Sequence, residues 1–276
     1  MATSPIDPNY AKARAGLLDV LDAMGPLREA AVLVGAQAVY EYTREYDADF
    51  AVAPLTFDAD VALSPELLVD DPRIPEVMKA AGYNLTGQPG IYKRDDGTQV
   101  DLLVPEGVGG RRGRGAGLGV HGNRAARQVR GLEGALVSHR VMGIIALDPL
   151  DFRVFDIRTA GPAALLVAKV HKIMDRSSEP GATRLNDKDA FDVFRLLRAI
   201  DTQELAMETQ VLLDHDLSQE VTAEAMSFFG DLFGTVTATG VQMIVRSVRG
   251  LEDPDIIAAS AVTLGLDLTS RISNQG

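Results

Sequence analysis

The hydrophobic pattern of the chain changes at Gly161-Pro162, and this change constrains the fold more than any other feature. Before it, runs such as residues 56–63 alternate apolar and polar residues with the two-residue period of a β-strand. After it, apolar residues recur at helical spacing for nearly the rest of the chain. The sequence therefore predicts an α/β (α+β) domain with a small mixed sheet over residues 1–159 and an all-helical domain over residues 160–276.

The composition is typical of a folded, soluble protein. Of the 276 residues, 46% are hydrophobic and 24% are charged. Cysteine is absent, which excludes disulfides, thiolate zinc sites and a cysteine nucleophile. Residues 1–16 lack the apolar segment of an export signal, and no 18 apolar residues run together. We therefore expect a cytoplasmic protein that does not enter a membrane.

Two acids share one face of the strand predicted at residues 56–63. Alternation puts Asp58 and Asp60 on one side and the large apolar residues on the other. The D-x-D spacing occurs five times in the chain, but only this pair lies within an apolar alternating run. Carboxylates that share a strand face repel each other and need a cation, and Mg²⁺ prefers oxygen ligands. The alternative is a hydrated strand face with ordinary carboxylates.

Two further features favour a site for a metal and a phosphate. Gly35 follows a short apolar run and precedes a helix, whose free N–H groups attract phosphate, although a plain strand-to-helix turn is the commoner case. Asp101 lies on a second predicted strand, at residues 100–104, and would complete a cage of three carboxylates. A lone acid on a strand is otherwise just an exposed side chain.

A basic stripe follows on the first helix after the change of pattern. Lys169, Lys172 and Arg176 lie at i, i+3 and i+7, which places them on one helical face. Such a stripe is either a hydrated surface or a contact to the phosphates of a ligand. The four histidines show no metal-ligand spacing, and no serine lies in a G-x-S-x-G motif. A zinc enzyme or a serine hydrolase therefore finds no support.

These blocks, taken in order, resemble the nucleotidyltransferase superfamily. The blocks are the glycine turn, T-x-D-x-D at residues 56–60, the later strand acid, A-K-V-H at 168–171 with Arg176, and K-D-A-F-D at 188–192. The last two blocks look most like the AbiEii toxins of type IV toxin-antitoxin systems, which share K-L-H-x-x-x-x-R and R/K-D-x-x-D blocks. The resemblance spans about residues 31–199, and the order of the blocks is its most specific feature.

The resemblance implies a nucleotidyltransferase-like first domain and a role for each matching residue. Asp58 and Asp60 would bind Mg²⁺, with Asp101 as a third ligand. The other implied roles are phosphate contact for Gly35, a hydroxyl near the phosphates for Thr56, phosphate binding for Lys169, and an essential acid near the attacking group for Asp189. Lys172, which lies on the same basic stripe as Lys169, is a further candidate for binding the nucleotide. Without the other blocks, residues 188–192 are an ordinary helix start, in which acids favour the helix dipole.

The implied activity is a Mg²⁺-dependent transfer of a nucleoside monophosphate from a nucleoside triphosphate to an acceptor hydroxyl. A tRNA end is the leading acceptor, with a separate antitoxin protein as partner; small molecules and protein hydroxyls are the acceptors of other members of the superfamily. Two departures motivate a second hypothesis, a catalytically weak nucleotide- or protein-binding module on the same fold. The chain has Ala36 where the family often has serine or glycine, and Asp58 follows Gly35 by 23 positions, which requires a longer helix or an inserted loop at residues 46–54.

An arginine cluster bears on the acceptor. The net charge of −12 argues against a general nucleic-acid coat protein. No acid lies between Glu106 and Glu133, however, and this segment contains six arginines: Arg111, Arg112, Arg114, Arg124, Arg127 and Arg130. The cluster either holds the backbone of an RNA acceptor or keeps a glycine-rich segment soluble, and the sequence favours neither.

Overall fold

The structure, a computed structural model, describes residues 6–50, 52–110, 113–177 and 184–274. It is mixed α/β, with one small mixed sheet and α-helices on both sides of the sequence change, as predicted. Asp7 caps the N-terminus of helix α1 (Pro8–Met24), because its carboxylate accepts a hydrogen bond from the backbone N–H of Asn9. The elements that follow up to residue 160 are β1 (Ala31–Val34), α2 (Gly35–Thr43), β2 (Asp58–Leu63), α3 (Ile74–Ala80), β3 (Asn84–Leu85), β4 (Ile91–Lys93), β5 (Gln99–Pro105), β6 (Arg127–Val129), α4 (Glu133–Val137), β7 (His139–Ile145) and β8 (Val154–Ala160).

The sheet has the strand order β3-β4-β5-β2-β1-β8-β7, with β6 paired to β5. Strand β2 runs antiparallel to β1 and parallel to β5. Strand β1, an interior strand beside β2, is buried along its whole length, which suits its uninterrupted apolar sequence. The two predicted acidic strands are therefore neighbours near the middle of the sheet.

Helices follow the sheet in the second half of the chain. Their bounds are α5 (Pro162–Ser177), α6 (Arg184–Ala199), α7 (Thr202–Leu213), α8 (Gln219–Phe233), α9 (Thr239–Ser247) and α10 (Pro254–Ser273). One continuous hydrophobic core contains Leu17 and Val61 from the first half together with Phe194 and Phe229 from the second. The division into domains 1–159 and 160–276 stays a prediction, because the two halves share this core.

The long spacing between Gly35 and Asp58 is accommodated by an insertion. Helix α2 ends at Thr43, and a 3₁₀ segment (Arg44–Asp49) follows it. Phe50 then packs edge-on against Phe191 of α6, with ring centroids 6.1 Å apart. The insertion thus packs against the second half of the chain, and β2 still pairs with β1.

Helix α10 is the described helix that is long and apolar enough to cross a membrane by length and composition. It packs against α7, α8 and α9, and its N-terminus is capped by the Asp253 carboxylate. Its Ile257, Ala261 and Leu268 are buried against these neighbours, whereas Ile256 and Leu266 are exposed. The expectation that the protein does not enter a membrane stays a prediction.

Candidate functional site

Three carboxylates converge where β2 pairs with β5. The parallel register sets Asp60 opposite Asp101, and Asp58 lies two residues earlier on the same face of β2. Each of the three side chains offers one oxygen, and these oxygens all lie within 4.8 Å of one another. We call Asp58, Asp60 and Asp101 the carboxylate triad. The sequence predicted its members, and the strand register brings them together.

Gly35 leaves room for the triad at the start of α2. The antiparallel register of β1 and β2 sets Val34 opposite Asp60. Gly35 has a φ of +70°, and a Cβ atom at this position would lie 2.1 Å from Oδ2 of Asp60. Both the backbone conformation and the space therefore require glycine. The helix N-terminus, with its free N–H groups, consequently lies against the triad.

Burial and mutual repulsion act on the acids of the triad. Burial and the charge of Asp58 raise the pKa of the Asp60 carboxyl above its ordinary value. Burial and the charge of Asp60 raise the pKa of the Asp101 carboxyl to about 7, against the opposing effect of Arg127. Burial and like charge therefore make full ionisation of the cluster costly, and a bound cation would offset this cost.

Two polar side chains hold Asp58. The Thr56 hydroxyl donates to Oδ1 of Asp58 over 2.9 Å, and the Gln37 amide donates to the Asp58 carbonyl over 3.2 Å. Thr56 is 1% exposed and is not among the residues that line the cavity described below. In the structure it orients a carboxylate of the triad, and its expected place beside phosphates stays a prediction.

A cavity of about 710 Å³ opens on the triad. This volume lies within the range of small-molecule sites. Its basic lining residues come from two segments, Lys169, Lys172 and Arg176 from α5 and Arg114, Arg127 and Arg130 from the chain between β5 and α4. The lining also includes Gly35, the triad and two further acids, Glu106 and Asp175. A second, more open depression of about 740 Å³ lies beside α1 and α3, where Asp19 is already paired with Arg94 and Arg153.

Lys169 is a buried cation held by two acids. Its Nζ donates to Oδ1 of Asp189 over 2.8 Å and to Oδ2 of Asp192 over 2.5 Å. Burial alone would lower the pKa of Lys169, but Asp189 and Asp192 raise it well above its ordinary value. The two acids favour the charged form of the ammonium group and fix its position, and Lys169 is among the residues that line the cavity.

Asp189 lies behind the basic stripe and not at the lining of the cavity. It contacts Lys169, Lys172 at 3.5 Å and Arg176, and it is 2% exposed. Burial acts to raise the pKa of the Asp189 carboxyl, but Lys169 and Lys172 bring it below its ordinary value. An acid held this firmly in its ionised form is a poor proton acceptor. In the structure Asp189 organises three cations, and its expected role near an attacking group stays a prediction.

The arginine cluster divides among several environments. Arg127 and Arg130 line the cavity, and Arg130 also pairs with Glu224 of α8 at 2.8 Å. Arg124 instead donates to the carbonyls of Thr86 and Gly87. Arg111 and Arg112 lie outside the described residues.

Two contacts at the site were not predicted from the sequence. Asp192 stands in the K-D-A-F-D block, and its three-residue spacing from Asp189 on a helix was a usable signal that both acids face Lys169. Arg127 of β6 forms an ion pair with Asp101 of β5, the strand with which β6 pairs. No sequence pattern predicts the pairing of a strand as short as β6.

Comparison with known proteins assigns no family to the chain. No family model matches it, and no curated protein matches it in sequence. A functional interpretation therefore depends on the residues and the geometry described above.

Proposed function

We propose that this protein is a nucleotidyltransferase that moves a nucleoside monophosphate from a nucleoside triphosphate to an acceptor hydroxyl, with Mg²⁺ as its cofactor. One observation carries the proposal: the triad oxygens lie within 4.8 Å of one another at a cavity that Lys169 and Lys172 also line. A divalent cation and the phosphates of a nucleotide are the ligands that such a combination of charges attracts.

The donor set of the triad suits Mg²⁺. Carboxylate oxygens are the ligands this ion prefers, and Asp58, Asp60 and Asp101 are held on two paired strands. Thr56 fixes the Asp58 carboxylate, and the Gln99 amide donates to Oδ1 of Asp101 over 2.8 Å. When bound there, the ion supplies Lewis acidity at the phosphate and favours the ionised form of the acceptor hydroxyl.

The basic stripe would bind the phosphates of the nucleotide. Lys169 is held in one position by two buried acids, so it costs no reorganisation when negative charge develops on the departing pyrophosphate. Lys172 and Arg176 are partly exposed and line the same cavity. Asp189 would act by holding these three cations in place. Gly35 would let a phosphate approach the start of α2, because it has no side chain.

An RNA end, and by resemblance a tRNA end, is the acceptor that we propose, as in an AbiEii-like toxin. Arg114, Arg127 and Arg130 line the cavity beside the triad, and arginine is well suited to the phosphates of a nucleic acid. These arginines lie in the acid-free segment between Glu106 and Glu133, which would draw a polyanion to one place in a chain with a net charge of −12. An antitoxin partner follows from the resemblance alone.

The test is transfer of label from α-labelled nucleoside triphosphates to total RNA in the presence of Mg²⁺. We expect labelled RNA with the wild type, and a loss of at least about 100-fold with Asp58→Asn, since removal of one charge-stabilising group commonly costs this much. Asp156→Asn is the matched control, because Asp156 is exposed on β8 and lies outside the cavity lining. Lys172→Ala tests the basic stripe without burying an unpaired acid.

Other results separate the alternatives. Label on small molecules or proteins, and not on RNA, would support nucleotidyl transfer and contradict RNA as the acceptor. Nucleotide binding without transfer to any fraction would favour the weakly active binding module. Absence of both nucleotide and divalent-cation binding would contradict the proposal altogether.

A further inference from the structure

Arg127 contacts the carboxylate triad directly. Its Nη2 lies 3.1 Å from Oδ2 of Asp101, and its side chain is 30% exposed at the cavity. Strand pairing fixes this contact, because β6 runs parallel to β5 with Arg127 opposite Leu103, two residues beyond Asp101 on the same face. The lysines of α5, in contrast, pair with acids behind the cavity.

The Arg127 guanidinium is only partly satisfied by this contact. Its Nε is buried and has no hydrogen-bond partner among the residues that the structure describes. A buried N–H group without a partner is costly. A guanidinium also presents its donors as a planar fork that matches two oxygens of a phosphate. Arg127 therefore has unused donor capacity beside the cavity.

Both oxygens of Asp101 have partners in the structure. Oδ1 accepts from Gln99 over 2.8 Å, and Oδ2 accepts from Arg127 over 3.1 Å. A divalent cation held by all three carboxylates of the triad would use an oxygen of Asp101. The charge of this cation would repel the guanidinium of Arg127, which contacts the same carboxylate. The cation and Arg127 thus compete for the same carboxylate.

We propose that Arg127 is an internal counter-ion of the triad, which yields Asp101 to a divalent cation and then turns to a phosphate group in the cavity. This inference rests on the proposed function, because it takes the triad as the cation site. It gives Arg127 two partners in turn and couples cation binding to phosphate binding. Arg127 is a positioning residue in the first role and binds substrate in the second.

The first test measures Mn²⁺ binding, followed by the loss of the free-ion electron paramagnetic resonance signal. With Arg127→Gln we expect the dissociation constant to fall about three- to tenfold, because a competitor worth about 1 kcal/mol has been removed. Arg114→Gln is the matched control: it removes the same charge from the same cavity, and Arg114 makes no ion pair with the triad in the described part of the chain. For this control we expect a change of at most about twofold.

Four outcomes of this test are decisive. Unchanged or weaker Mn²⁺ binding by a folded Arg127→Gln protein overturns the counter-ion role. If Arg127→Gln does not fold, Arg127→Lys is the second variant, because it keeps the charge and loses the planar guanidinium group. Equal gains in Arg127→Gln and Arg114→Gln overturn it as well, because they indicate general electrostatics. If the wild type does not bind Mn²⁺, both the proposed function and this inference are overturned. If the wild type binds Mn²⁺, Asp60→Asn abolishes that binding and Arg127→Gln leaves it unchanged, this inference alone is overturned.

The second test concerns the phosphate. At saturating Mn²⁺ we expect Arg127→Gln to bind inorganic tripolyphosphate or a short oligoribonucleotide about three- to tenfold more weakly than the wild type does, measured by calorimetry. A loss confined to tripolyphosphate identifies the nucleotide as the source of the phosphate, and a loss confined to the oligoribonucleotide identifies the acceptor. Equal binding of both probes by wild type and variant overturns the second role of Arg127.

Discussion

At the scale of single residues, the site depends on a close fit between Gly35 and Asp60. The Asp60 carboxylate occupies the space that any side chain at position 35 would need. The sequence correctly predicted a glycine turn before a helix, but it could not show why glycine is required. That reason is the register of β1 with β2, which joins residues 25 positions apart in the chain.

Gly35→Ala should therefore damage both stability and cation binding. A Cβ at 2.1 Å from Oδ2 of Asp60 must displace that carboxylate, and alanine is strained at a φ of +70°. We expect a loss of about 1 to 3 kcal/mol in the free energy of unfolding, measured by urea denaturation, and weaker Mn²⁺ binding. Gly87→Ala is the control, since its Cβ would meet nothing within 4 Å. Similar behaviour of the two variants would contradict the packing argument.

Asp60→Asn should stabilise the protein in the presence of a chelator. Burial and Asp58 raise the pKa of the Asp60 carboxyl, so ionisation costs more in the folded chain than in the unfolded one. Stability is then lost as the pH rises from about 4 through the folded-state pKa. With EDTA we expect the melting temperature of Asp60→Asn to exceed that of the wild type by a few degrees at pH 8, and by less at pH 4.

The control for this substitution is Asp156→Asn, which removes an equal charge from an exposed position on β8. Added Mg²⁺ should raise the melting temperature of the wild type and leave that of Asp60→Asn nearly unchanged. A melting temperature of Asp60→Asn below that of the wild type in EDTA would contradict the repulsion argument.

At the scale of elements, periodicity predicted the strands that carry the acids, because each is long enough to show alternation. Strands β3, β4 and β6 were missed: they are two or three residues long and owe their conformation to pairing with neighbours. The basic stripe on α5 was predicted from spacing, but its partners on α6 were not. Periodicity identifies a helical face, and only packing decides that Lys169 is buried on it.

The pair of helices α5 and α6 should depend strongly on Lys169. Lys169→Met leaves Asp189 and Asp192 close together and buried, with the cation that pairs with both of them removed. We expect a loss of about 3 to 5 kcal/mol in the free energy of unfolding by urea denaturation. Lys172→Met is the matched control, with a side chain that is 41% exposed, and should cost less than about 1 kcal/mol. Equal costs would show that Lys169 is not the central cation.

At the scale of the whole molecule, the candidate site needs both halves of the chain. The triad and Gly35 come from the sheet, whereas Lys169 comes from α5. Helix α2 packs on both α5 and α6, and Arg130 bridges to α8. A continuous core joins the same two halves. Formation of the site and cooperative folding therefore have the same structural basis.

This arrangement predicts that the two halves unfold together, and the composition provides a direct measurement. All six tyrosines lie between Tyr10 and Tyr92, and the chain has no tryptophan, so intrinsic fluorescence reports only the first half. Far-UV circular dichroism at the helical band is dominated by α5 to α10. We expect the two signals to change at the same urea concentration in a single transition, because exposing either half would uncover the shared core. Two separate midpoints would instead show independent domains at residues 1–159 and 160–276, with a site assembled only after both have folded.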